Sequence, residues 1–248
     1  MSKNLLILGG TTEATALCTH LAGTDLRATL SFAGRVERPR RQPLPQRIGG
    51  FGGAVGLADY IKNETITHVI DATHPFAAQM SNNAVTACAQ TGTPLIALTR
   101  APWEPMSGDN WIQVADMTSA ATKLAMLPGQ NIMLAVGRMH LGEFAGLDQH
   151  SYLLRLVDPP QTPPPFARFH AEISRGPFTH ADDLTLMQRH NITVVVSKNA
   201  GGTGAYSKIS AARELGAQVI MIDRPEIAPR PQVHSVPAVM DWLNAHPA

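Results

Sequence analysis

The sequence predicts an α/β fold with parallel, doubly wound sheets, and three observations lead to it. Short apolar runs alternate with stretches of helical period, beginning with Leu5-Leu6-Ile7-Leu8 and then Ala14, Leu17, Cys18 and Leu21 on one helical face. Several apolar runs end in glycine or in unusual polar residues, as the carboxyl ends of strands do where open α/β sheets bind ligands. Strand–turn–helix units repeat clearly to about residue 100 and restart less cleanly from Ala101, a rhythm that implies parallel pairing with right-handed crossovers. The length is enough for two domains, set at residues 1–100 and 101–248 with a cleft between them.

The first strand breaks at Gly9-Gly10, with Thr11 or Thr12 as helix N-cap and Glu13 in the first turn. A strand, a glycine turn and a helix N-terminus make an anion site, because first-turn N–H groups and the helix dipole converge there. An ordinary βα turn has the same pattern, and the full G-x-G-x-x-G fingerprint is absent. Residues 26–33 form the second strand, ending Ser31-Phe32-Ala33-Gly34-Arg35. An acidic residue at that strand end grips the ribose 2′-hydroxyl of NAD, whereas arginine accommodates the 2′-phosphate of NADP. Here Ser31 and Arg35 stand in place of an acid, and Arg38, Arg40 and Arg41 follow.

Next comes Gly49-Gly50-Phe51-Gly52-Gly53, a loop costly to order and suited to close backbone approach, then a helix from near Leu57. The strand at 67–71 runs into Asp71-Ala72-Thr73-His74-Pro75-Phe76-Ala77, with Pro75 expected at the first helical position. Asp71, Thr73 and His74 therefore lie at a strand's carboxyl end. A further strand over 94–99 ends at Arg100. In the second half, a strand over 132–136 ends Gly137-Arg138, and one over 193–197 runs into Lys198-Asn199-Ala200-Gly201-Gly202. A last strand over 218–222 and a short amphipathic helix near 237–244 complete the pattern.

The net charge of +1 argues against a nucleic-acid or membrane binder. With no signal-like leader and no spanning apolar stretch, the expected location is cytoplasmic. Cys18 and Cys88 sit on apolar helix faces and read as buried hydrophobes. The glycine-rich stretch before Lys208 is not a P-loop, because Lys208 follows Ser207 and precedes Ile209. His68 and His74 flank a strand at opposite ends without a third ligand at diagnostic spacing, so no metal is expected. Asp71, His74 and Ser81 lack the strained Gly-x-Ser-x-Gly turn of a hydrolase. Arg100, Arg138, Arg155, Arg168, Arg175, Lys198 and Lys208 together suit a polyanionic small molecule, since arginine forks match carboxylates.

On Leu8-Gly9-Gly10-Thr11-Thr12-Glu13-Ala14, Gly49-Gly50-Phe51-Gly52-Gly53, Asp71-Ala72-Thr73-His74-Pro75-Phe76-Ala77, Ser197-Lys198-Asn199-Ala200-Gly201-Gly202 and Arg224-Pro225, the chain resembles the precorrin-6A reductase family of corrin biosynthesis. The resemblance implies two Rossmann-like domains and an NADPH-dependent reduction of one double bond in the precorrin-6A macrocycle. A polycarboxylate tetrapyrrole substrate agrees with the cationic second half. In that reading Gly9, Gly10, Thr11 and Thr12 meet the pyrophosphate, Ser31 and Arg35 the 2′-phosphate, and Thr73 the nicotinamide ribose. Arg100, Arg138, Lys198 and Lys208 hold substrate carboxylates. His74 is one candidate proton donor; Lys198, Tyr60 or water are the others. An anaerobic branch acts on the cobalt-containing analogue, and the motifs do not separate the branches. An NADP-dependent oxidoreductase of a smaller substrate and a non-catalytic nucleotide sensor share the same N-terminal half.

Overall fold

The computed structural model describes residues 2–33, 41–160, 162–174 and 176–247. The chain divides into two compact units, Met1–Ala101 with Glu226–Ala248, and Pro102–Pro225. Each is an α/β unit on a six-stranded parallel sheet.

The first unit runs β1 (Asn4–Leu8), α1 (Thr12–Leu21), β2 (Arg27–Phe32), β3 (Gln46–Ile48), α2 (Gly53–Asn63), β4 (His68–Asp71), α3 (Ala78–Thr91) and β5 (Leu95–Leu98). The second holds β6 (Trp111–Val114), α4 (Met117–Ala125), β7 (Asn131–Ala135), a 3-10 helix (Arg138–Phe144), β8 (Ser151–Leu156), β9 (Phe169–Ile173), α5 (His180–Arg189), β10 (Val194–Lys198), α6 (Ser207–Leu215) and β11 (Gln218–Ile222). The chain then returns to the first unit with β12 (Gln232–Val233) and α7 (Val236–Ala245).

The first sheet has the order β3-β2-β1-β4-β5-β12. This is the strand order of a dinucleotide-binding fold, with its sixth strand supplied by the C-terminal tail. Alternation along the strands builds two cores. Leu5 and Ile7 of β1 face α1 and α7, whereas Leu6 and Leu8 face α2 and α3. Burial on both faces explains why Leu5–Leu8 of β1 are uniformly apolar rather than alternating. Cys18 and Cys88 fall one in each core, where burial pushes their thiols up to about 11 and about 12.

The tail corrects the expected division at residue 100, which placed everything after it in the second domain. β12 pairs with β5, Gln232 opposite Ala97 and Val233 opposite Leu98. Helix α7, capped by Ser235, buries Val239 and Leu243 in the α1-side core. His68, at the start of β4, is buried against Trp242 edge to face, with Nε2 2.9 Å from the His246 carbonyl. That histidine is a core residue, and desolvation lowers its pKa.

The second sheet has the order β6-β11-β10-β7-β8-β9. Met133, Val195, Val219 and Met221 pack with Met187, Ile209 and Ala212 of α5 and α6. The alternate residues Ile132, Leu134, Val194, Val196 and Ile220 are buried as well, and α4 packs on β6 and β11. Among the described residues no helix is long and apolar enough to cross a membrane.

Two local expectations change. Pro75 lies in a turn closed by the Ala77 N–H to the His74 carbonyl at 2.7 Å, and α3 starts at Ala78. Helix α2 starts at Gly53, inside the glycine loop rather than near Leu57.

Candidate functional site

Open parallel sheets bind ligands outside the strand carboxyl ends, where the strand order reverses. In the first unit that point lies between β1 and β4, and both strands run into the residues singled out by sequence. Gly9 lies against β2, its N–H bonded to the Ser31 carbonyl at 2.9 Å, and a Cβ there would collide with Leu30. Gly10 has φ +124°, a conformation that disfavours side chains, and the space beside it is open. Thr11 caps α1: its Oγ1 accepts the Ala14 N–H at 3.1 Å and donates to the Ala72 carbonyl at 2.8 Å. That second bond ties the β1 turn to the β4 turn across the reversal point. Thr12 and Glu13 open the helix, where first-turn N–H groups lack intrahelical acceptors.

Beyond β4, Asp71 is 2 % exposed and organises its neighbours. Its Oδ1 accepts from Thr73 Oγ1 at 2.7 Å and from the Thr73 N–H at 3.2 Å. Its Oδ2 accepts from Ser81 Oγ at 2.6 Å and pairs with Arg230 Nη2 at 3.2 Å. Because Thr73 spends its hydroxyl hydrogen on Asp71, its oxygen can only accept from a ligand. His74 Nδ1 accepts the Phe76 N–H at 3.2 Å, so in the neutral ring the hydrogen sits on Nε2.

Ser31 is buried at the end of β2, opposite Arg47 of β3, whose Nη1 donates to Ser31 Oγ at 2.8 Å. Arg35 lies outside the described residues. Arg100, at the end of β5, pairs with Glu13 in the first turn of α1 at 3.0 Å. Its cation neutralises the one carboxylate of that turn, so any substrate carboxylate would compete with Glu13 for it.

The second sheet reverses between β7 and β10. Arg138 follows β7 directly after Gly137, and Lys198 ends β10, so both stand at this second reversal point. Next to Lys198, buried Asn199 fastens the chain: its Oδ1 accepts the Trp103 N–H at 2.7 Å and its Nδ2 donates to the Trp103 carbonyl at 2.9 Å. Arg224 Nε donates to the Asn199 carbonyl at 3.0 Å.

Three of the sequence-selected cations are engaged elsewhere in the second unit. Lys208 is 5 % exposed, its Nζ donating to the Ala205 carbonyl at 2.6 Å and lying 4.9 Å from the Trp103 ring centre. This corrects its expected role, since a headgroup sealed inside the unit does not present itself to a substrate carboxylate. Desolvation, with Arg155 adding repulsion and Asp183 partly opposing it, lowers the Lys208 pKa to about 7. Arg155, half-buried, forms an ion pair with fully buried Asp183, which also accepts from Ser207 Oγ at 2.5 Å. Arg168 precedes β9, at the opposite edge of the sheet, and donates to the Asp148 and Gln149 carbonyls at 2.9 Å each. Arg175 lies outside the described residues.

Arg47 and Arg230 were missed by sequence reasoning. The first flanks a glycine loop and belongs to a three-residue strand; the second lies in an aperiodic stretch far from Asp71 in sequence. Arg224-Pro225 drew attention to the region but not to Arg230.

The residues fit a nicotinamide dinucleotide. The turn at Gly9-Gly10 is open to a phosphate, α1 presents its N-terminus there, and the end of β2 carries a serine bonded to an arginine rather than an acid.

A family model described as Precorrin-6x reductase CbiJ/CobK matches residues 4–244. The chain is 53 % identical to a precorrin-6A reductase of Rhodobacter capsulatus over 98 % of its own length and 97 % of that protein's. A cobalt-precorrin-6A reductase of Priestia megaterium is 31 % identical over 90 % of this chain and 91 % of that protein. The solved structure of CobK precorrin-6A reductase superposes with a TM-score of 0.94 at 53 % identity, covering 99 % of this chain and 98 % of that one. The chain belongs to the precorrin-6x reductase CbiJ/CobK family.

Proposed function

We propose that this chain reduces precorrin-6A to its dihydro product with NADPH, the first unit holding the cofactor and the second the carboxylates of the macrocycle. One observation carries the cofactor half of this reading. The Gly9-Gly10 turn and the Asp71–His74 strand end meet at the strand-order reversal of a dinucleotide-binding sheet, joined by the bond from Thr11 to Ala72. Bound there, NADPH supplies a hydride to one carbon of the macrocycle, and a proton completes the reduction at a second atom.

The protein's part is binding, orientation and control of charge. Gly10, Thr11 and Thr12 offer backbone N–H groups at the positive end of α1 to the pyrophosphate. Arg100 removes the repulsion that Glu13 would exert on it. Thr73, held by Asp71, presents an acceptor to the ribose or carboxamide end of the cofactor. His74, once its ring is protonated, and Lys198, as an ammonium, are the candidate proton sources. Arg138 and Lys198 supply cations for acetate and propionate groups. The higher identity to a relative named for the metal-free substrate favours precorrin-6A over its cobalt analogue.

The test is turnover by the purified protein with each macrocycle and each nucleotide. Precorrin-6A with NADPH should give a product two hydrogens heavier, with loss of nicotinamide absorbance. The cobalt analogue or NADH should serve poorly. NADPH consumption that ignores the tetrapyrrole, or its absence in every combination, contradicts the proposal.

A further inference from the structure

The end of the first sheet furthest from β5 carries a second arginine that the β2 strand end alone does not reveal. Ser31 and Arg47 are opposed in the β2–β3 pair, near the carboxyl ends of both strands, so their side chains share a face. Arg47 Nη1 donates to Ser31 Oγ at 2.8 Å and to the Gly49 carbonyl at 3.0 Å, and Nη2 donates to the Gly50 carbonyl at 3.2 Å. The guanidinium lies over Phe51, 3.8 Å from the ring centre, with Tyr60 5.1 Å away. Phe51 and Tyr60 meet edge to face. The loop reaches this shape because Gly56, in the first turns of α2, leaves room for the Phe51 carbonyl; a Cβ there would collide with it.

Among the described residues, Ser31 and Arg47 both keep donor hydrogens at this spot. The Ser31 oxygen accepts from Arg47, which leaves its hydroxyl hydrogen to donate. Arg47 keeps Nε–H and one Nη2–H outside its three contacts. A cation, a hydroxyl and a stacked plane at the carboxyl end of β2 are the chemistry that takes a phosphate on the adenosine ribose.

We propose that Arg47, acting with Ser31, holds the 2′-phosphate of NADPH and sets the preference over NADH, with Phe51 fixing its guanidinium plane. The proposal rests on the NADPH reading above. The competing role for Arg47 is purely to pin the glycine loop through Gly49 and Gly50.

Calorimetric binding of adenosine 2′,5′-bisphosphate and adenosine 5′-monophosphate isolates the 2′-phosphate without turnover. The wild-type chain should prefer the bisphosphate by about tenfold or more, the worth of a charge-assisted hydrogen bond. In Arg47→Gln, which keeps donors for the loop carbonyls, the two affinities should converge to within about twofold. Arg47→Lys, with its charge but no planar fork, should fall between, and provides the readout if the glutamine variant does not fold. A loop-pinning role would weaken both ligands alike and leave their ratio at the wild-type value. An unchanged ratio in the folded variants overturns the assignment, the more clearly if Arg35→Ala abolishes it. A wild-type chain that does not distinguish the two ligands overturns the NADPH reading itself, and this inference with it.

Discussion

Asp71→Ala should cost the first unit about 3–5 kcal/mol and abolish measurable NADPH binding. The carboxylate is buried and receives Thr73, Ser81 and Arg230. Arg230 is itself 8 % exposed, and its Nε already has no partner among the described residues. Deleting Asp71 leaves that cation uncompensated in a low-dielectric site, the situation in which breaking a buried pair is most destabilising. Thr73 also loses the bond that orients its hydroxyl, so stability and cofactor affinity fall together. Asp71→Asn keeps an acceptor for Thr73 but no charge for Arg230, and should lie between. Trp242 belongs to the first unit, whereas Trp103 and Trp111 belong to the second. Denaturant unfolding of a protein retaining only Trp242 therefore reads the relevant transition. A midpoint for Asp71→Ala equal to that of the parent would refute the account of this carboxylate.

The second large effect is a pH dependence confined to the second unit. Lys208 has its pKa lowered from 10.5 to about 7, by desolvation first, then by Arg155, with Asp183 opposing. Between those values the unfolded chain binds a proton that the folded chain does not. Unfolding then takes up a proton, so stability rises with pH by about 1.4 kcal/mol per unit. Below about 7 both states are protonated and the penalty for burying the charge is present in full. Lys208→Met removes the group and its slope, at the loss of the Ala205 bond and the Trp103 contact. The variant should thus be the more stable protein near neutral pH, with the difference shrinking as pH rises toward about 10. Groups common to both proteins cancel in the comparison. Denaturation curves whose midpoints stay parallel across that range would show that Lys208 keeps its ordinary pKa.

Both predictions concern residues whose identity the sequence displayed and whose environment it did not. Asp71, Thr73 and His74 were legible because an apolar run ends on them, and position at a strand end follows from pattern alone. The bonds that make Asp71 an organising carboxylate come partly from Arg230, in a tail that periodicity assigned to the wrong unit. A two-residue strand such as β12 leaves no alternation to read. The same holds for the three-residue β3, while β9 hides its strand character by leaving Phe169 and Ile173 exposed at the sheet edge. Lys208 was misjudged for a different reason. Helix α6 buries Ser207, Lys208, Ile209, Ala211 and Ala212, too broad an arc for one apolar stripe. The fold class was written in the strand–helix rhythm, but which cations face a ligand depends on burial that rhythm does not encode.

The central claim is that hydride passes from NADPH held by this chain to the tetrapyrrole. NADPH carrying deuterium on either face of the nicotinamide C4, offered with precorrin-6A, tests it most directly. The account predicts one deuterium in the isolated product from one labelled face, none from the other, and one deuterium from solvent when the reaction is run in heavy water. A reduced product with no label from either face would contradict it.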